Sequence, residues 1–144
     1  TVMTGGYMGT MEAASKGAFE AGGHVIGVTC DEIENWRKRA RNQWVKEERR
    51  LPTLHERMIE LMDASQAAIA LPGGPGTLAE IVLMWNRIQI DAMPKAPIIL
   101  VGDGWKKVFE TFFKEFKSFI PQDIVTNIKF AGTIDEILKQ LPTK

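Results

Sequence analysis

Short apolar runs alternate along this chain with segments of helical period, and glycine clusters mark two of the junctions. Few sequence features constrain a fold more, because such alternation is the pattern of a parallel sheet with helices packed on it. The runs predict strands at residues 2–4, 24–29, 67–71, 97–101 and 128–131. Their near-continuous apolar character suits strands covered on both faces. Helical spacing predicts helices at residues 9–21, 54–65, 77–90, 105–119 and 133–141. In the fourth of these, Trp105, Val108, Phe109, Phe112, Phe116 and Phe119 form an aromatic stripe, which reads as core packing against the sheet.

At 144 residues the chain suits one domain, residues 1–144, and is short for two. Eighteen basic residues balance eighteen acidic ones, so no overall field recruits nucleic acid or an anionic membrane. No apolar run approaches the roughly 20 residues that span a bilayer. The single cysteine, Cys30, has no internal disulfide partner, which fits a reducing cytoplasm. Two histidines, His24 and His55, stand without close ligand spacing, so no metal site is expected. Because the first strand begins at the start of the chain and runs directly into glycines, an N-terminal strand–helix unit is expected to be missing.

The first glycine junction is TGGYMGT, residues 4–10. Gly5 and Gly6 allow backbone angles that a Cβ resists and expose amide groups, while Gly9 begins a helix of small residues that can approach the sheet closely. The second is PGGPGT, residues 72–77, holding Gly73, Gly74, Gly76 and Thr77. Strand–glycine–helix turns place helix N-termini at the carboxyl ends of strands, where anions bind. Two in one small chain point to a phosphate-bearing ligand. The dinucleotide fingerprint is only formally met, lacking its acidic residue about 20 positions on, and the Walker A lysine is absent.

Glu80 has two readings. Thr77 and Glu80 have the spacing of a capping box, in which each side chain satisfies a free amide of the helix start. The same Thr-x-x-Glu spacing recurs at Thr53/Glu56 and Thr133/Glu136. Only the first, however, follows a glycine-rich turn, which favours a carboxylate placed for chemistry. Upstream, Arg57 lies at the margin of the apolar stripe Leu54, Met58, Leu61 and Met62. It is either a solvated charge or a cation directed at a substrate or at Glu80.

Taken together, TGGYMGTMEAASKGAFEAGGHVIGV, HERM and LPGGPGTLAE resemble the LOG ("lonely guy") phosphoribohydrolases, formerly described as lysine decarboxylases. The resemblance covers nearly the whole chain in order. It implies a Rossmann-like α/β fold, a parallel sheet flanked by helices, assembled as a homodimer or larger homo-oligomer. It implies cleavage of the N-glycosidic bond of a nucleoside 5′-monophosphate, of AMP or cytokinin riboside monophosphate type, without cofactor. Carried over by position, Arg57 and Glu80 are the catalytic pair, Gly73, Gly74, Gly76 and Thr77 hold the 5′-phosphate, and Gly5, Gly6 and Gly9 line the neighbouring turn. The chain departs from the family pattern at Met58, where lysine is usual, at Ala79, where a glutamate is common, and in lacking the N-terminal strand and helix.

Three alternatives stand beside this. The same fold could hold a nucleotide or pterin-type cofactor without turnover. A decarboxylase would need a pyridoxal-phosphate lysine in a recognisable setting. The segment WRKRARNQWVKEERR, residues 36–50, interleaves tryptophan with basic residues as single-strand binders do, but its glutamates and the neutral chain favour a solvated helix or a flap.

Overall fold

A computed structural model describes residues 1–38 and 40–142. The chain divides into two compact units that meet in sequence at Ser65/Gln66. Among the described residues six strands form two three-stranded parallel sheets, one in each unit, the parallel α/β architecture that the alternation of apolar runs and helical segments predicts.

In the first unit the order of elements is β1 (Val2–Thr4), α1 (Thr10–Glu20), β2 (Val25–Cys30), α2 (Asp31–Arg37), β3 (Glu47–Leu51) and α3 (Leu54–Asp63). The sheet runs β1-β2-β3, with Val2 opposite Val25 and Ile26 opposite Glu47. Every residue of the central strand β2 is buried, as its apolar run predicts.

β3 and α2 were not among the predicted elements. The 36–50 segment, expected as a solvated helix or flap, instead closes α2 and then supplies β3; Arg39 lies outside the described residues. β3 reads EERRL and alternates half-buried with exposed positions. Its charges are matched: Arg49 lies 2.8 Å from Glu47 and 2.6 Å from Glu60, and Arg50 lies 2.7 Å from Asp31 and 2.8 Å from Glu34. Charged side chains suit a strand at the end of a sheet order, where they discourage pairing with another chain.

The second unit contains β4 (Ala68–Ala70), α4 (Pro75–Gln89), β5 (Ile98–Val101), α5 (Asp103–Glu115), a 3₁₀ turn (Lys117–Phe119), α6 (Gln122–Val125), β6 (Ile128–Ala131) and α7 (Ile134–Gln140). Its parallel sheet runs β4-β5-β6, with Ile98, Ile99 and Leu100 of the central strand wholly buried. The aromatic stripe is core only in part. Trp105 and Phe109 are buried, whereas Phe112 and Phe116 are nearly half exposed and Phe119 is 81% exposed. These outer rings, with Val82, Trp85 and Ile124, line an apolar groove of about 290 Å³.

Candidate functional site

The two glycine turns sit at the carboxyl ends of β1 and β4, one in each unit. At the first, Gly5, Gly6 and Tyr7 are buried. Arg57, on the first turn of α3, is 5% exposed, so the solvated reading of this arginine does not hold. Its Nε donates to the carbonyl of Val28 at 2.8 Å, and its guanidinium lies 5.8 Å from the centre of the Tyr7 ring. A Cβ on Gly5 would collide with the Arg57 Nη2 and lie 2.6 Å from the Met11 sulfur. Gly5 is therefore the residue that lets the guanidinium lie across the turn.

Gly6 uses the backbone freedom that its sequence suggests, with its amide turned inward. Its amide donates to Thr4 Oγ1 at 3.1 Å, which commits it inside the protein. Its φ of +76° lies in the left-handed region, and a Cβ there would come within 3.2 Å of the Gly27 Cα on β2. Gly6 is present for close approach. Gly9 also has positive φ, at +73°, but is exposed, with nothing near its Cβ position; it ends the turn as the N-cap of α1.

A buried polar network holds this turn. The Asn42 side-chain amide donates to the carbonyls of Gly6 at 3.0 Å and Tyr7 at 2.9 Å, while the Asn42 backbone amide donates to Gly6 O at 2.8 Å. The Thr4 and Ser15 hydroxyls lie 3.1 Å apart. The Tyr7 hydroxyl donates to Cys30 O and accepts from Cys30 N at 2.9 Å. Burial pushes the Tyr7 phenol above its ordinary value; the nearby Glu34 carboxylate adds to that shift, while the Cys30 hydrogen bond and Arg57 oppose it.

Sequence reasoning missed Tyr7, Gly27 and Asn42. A lone glycine inside the apolar run VIGVTC is the recognised sign of a close backbone approach, so Gly27 could have been found. Asn42 carries no such signal, because it lies in a stretch dominated by charge.

At the second turn, the Thr77/Glu80 spacing does not form the capping box it resembles. α4 begins at Pro75 with Gly74 as its N-cap, which places Thr77 inside the first turn and Glu80 one turn further on. Thr77 therefore stands at N3 rather than at the N-cap, and Glu80 lies beyond the capping positions, so the two do not form a box with each other. By contrast, Thr53 and Glu56 form a complete box at α3, and Thr133 caps α7 through the Glu136 amide. Proline at the first helical position costs no hydrogen bond there. The amides of Gly76 and Thr77 fall among those that a helix start leaves without an intrahelical partner.

Thr77 is half-buried, and its hydroxyl occupies the space that a Cβ on Gly73 would need. Cβ positions on Gly74 and Gly76 point into open space. α4 also lacks any acidic residue in its first turn, whereas every other α-helix among the described residues has one. Glu80 is half-buried. Among the described residues no group of three or more His, Cys, Asp or Glu side chains could hold a metal ion, and no helix is long and apolar enough to cross a membrane.

A protein-family profile described as "Possible lysine decarboxylase" matches residues 11–141. A probable cytokinin riboside 5′-monophosphate phosphoribohydrolase of Oryza sativa subsp. japonica is 32% identical over 97% of this chain, which spans 66% of that protein. A cytokinin riboside 5′-monophosphate phosphoribohydrolase of Arabidopsis thaliana is likewise 32% identical over 97% of the chain, which spans 65% of it. A further probable rice enzyme of that name is 38% identical over 72% of the chain, which spans 45% of it. In fold, the chain resembles a molybdenum cofactor binding protein from Rippkaea orientalis, with a TM-score of 0.70 and 23% identity over 95% of this chain and 72% of that one. The molybdenum cofactor carrier protein of Chlamydomonas reinhardtii gives 0.62 and 24% over the same shares.

Proposed function

We propose, for a chain that belongs to the LOG family of possible lysine decarboxylases, that it hydrolyses the N-glycosidic bond of a nucleoside 5′-monophosphate. The substrate is of AMP or cytokinin riboside monophosphate type, and the products are free base and ribose 5-phosphate. The observation that carries this reading is the start of α4. Thr77 and Glu80 do not form a capping box, and the helix start offers glycine amides with no acidic side chain in its first turn. A dianionic phosphate suits that environment.

Breaking the bond from C1′ to the base nitrogen leaves an oxocarbenium-like ribosyl cation. Glu80 supplies the carboxylate that stabilises this charge and orients the water that adds to C1′. The bond's electron pair leaves with the base, which takes up a proton. Arg57 holds the substrate and assists the departing base, fixed for that task by the Val28 carbonyl and the space over Gly5. Phosphate binding at Gly73, Gly74, Gly76 and Thr77 turns remote affinity into correct placement of the scissile bond. In this reading the protein works in the cytoplasm as a homodimer or larger homo-oligomer, which light scattering checks.

Incubation with a panel of nucleoside monophosphates, with free base measured by chromatography, tests the reading. Base release from a 5′-monophosphate, and much slower release from its nucleoside, is expected. A second reading draws on Met58 and Ala79, the departures from the family pattern: a protein of the same fold that holds a nucleotide or pterin-type cofactor without cleaving it. Tight binding with no base released from any member of the panel would favour that reading and overturn the first.

A further inference from the structure

We propose that Trp105 is a positioning residue for the 72–77 turn, resting on the reading above that this turn holds a phosphate. Leu71 is the residue between the last strand position of β4, Ala70, and the glycine turn. Its carbonyl lies beyond the ladder with β5, and the Trp105 indole N–H donates to it at 3.0 Å. Trp105 belongs to the first turn of α5 and is 8% exposed, with its ring set edge-on to Phe109 at 6.4 Å. An indole nitrogen is a donor only. A phenylalanine would therefore fill the site yet leave the carbonyl unpaired.

The turn that carries Trp105 is itself anchored. Gly102, just before α5, takes a φ of +96°, and its amide donates to the carbonyl of Ala131 on β6 at 3.0 Å. The β5–α5 turn is thus tied to the sheet on one side and holds the Leu71 carbonyl on the other. Leu71 sets the direction in which the chain leaves β4, and so the place where the Gly73–Thr77 amides come to lie. The aromatic stripe of α5 begins with a residue that does more than fill the core.

The test compares Trp105→Phe with Trp85→Phe. Trp85 is a matched control, because its indole also donates to a backbone carbonyl, Ile124 O at 2.9 Å, away from the glycine turn. Calorimetric titration with ribose 5-phosphate measures phosphate affinity without requiring turnover. W105F should bind about five- to tenfold more weakly than wild type, and W85F within twofold of it. In W105F the kcat/KM preference for AMP over adenosine should fall by a similar factor, whereas general destabilisation would lower both substrates alike.

Equal ribose 5-phosphate affinity in W105F and wild type overturns the proposal, as does a wild type that binds no ribose 5-phosphate. If wild type releases no base but W105F still loses phosphate affinity, the hydrolase reading fails and the role of Trp105 stands. An isosteric replacement decides the matter even if W105F does not fold: 3-benzothienylalanine at position 105 keeps the bicyclic ring and lacks only the N–H. Ribose 5-phosphate binding weakened about five- to tenfold supports the hold, and unchanged affinity refutes it.

Discussion

Asn42→Ala probes the clamp on the first glycine turn most sharply. The substitution removes side-chain bonds of 3.0 Å to Gly6 O and 2.9 Å to Tyr7 O. Gly6 O keeps the Asn42 backbone amide at 2.8 Å, so the carbonyl that loses its amide partner is that of Tyr7. A buried carbonyl left unsatisfied costs about 1–3 kcal/mol, and the small cavity left by a 6%-exposed side chain adds roughly 1 kcal/mol. The Trp44 amide, which donates to Asn42 Oδ1 at 3.1 Å, is only part-buried, and water replaces that partner cheaply. The sum is about 2–4 kcal/mol. At roughly 3–5 °C per kcal/mol for a chain of this size, Tm should fall by about 6–20 °C. Circular dichroism melts supported by urea titrations would measure it. Asn42→Asp should be no more stable than Asn42→Ala, because it sets a carboxylate oxygen against two carbonyls. An Asn42→Ala protein that melts within about 2 °C of wild type would refute the clamp.

Other expectations follow from the same geometry. Thr53→Ala should cost about 1 kcal/mol by urea denaturation because it removes a complete capping box, whereas Thr77→Ala should leave stability within about 0.5 kcal/mol and weaken ribose 5-phosphate binding. Gly73→Ala should lower base release at least tenfold, on the order expected for a misplaced binding turn, since its methyl group meets the Thr77 side chain. Because burial raises the folded-state pKa of Tyr7 above its ordinary value of 10.0, its contribution to stability is complete below that value and declines as pH rises toward the folded pKa. Urea titrations from pH 8 to 11 should show the decline, and Tyr7→Phe should remove it.

Most of the sheet was legible because β2 and β5 are apolar along their length, and burial on both faces requires that. β3 was not, since a strand carrying Glu47, Glu48, Arg49 and Arg50 satisfies its charges through neighbours that only the fold brings close. Arg57 was legible as a residue but not as an environment: its position at the margin of a stripe left open whether it faced water or the interior. Thr77 and Glu80 show the limit of spacing arguments. Three identical Thr-x-x-Glu spacings behave differently because Pro75 starts α4 two residues before Thr77, and the glycines ahead of it determine that start. The outer part of the aromatic stripe was misread as core, because helical period reports an apolar face without reporting what covers it.

The central claim is that Glu80 carries the chemistry at a phosphate-holding turn, and the rate of adenine release from AMP by wild type and by Glu80→Ala tests it most directly. Loss of the carboxylate that stabilises the ribosyl cation should slow release by roughly 10²–10³-fold while ribose 5-phosphate affinity stays near wild type. Release by Glu80→Ala at the wild-type rate would contradict the account.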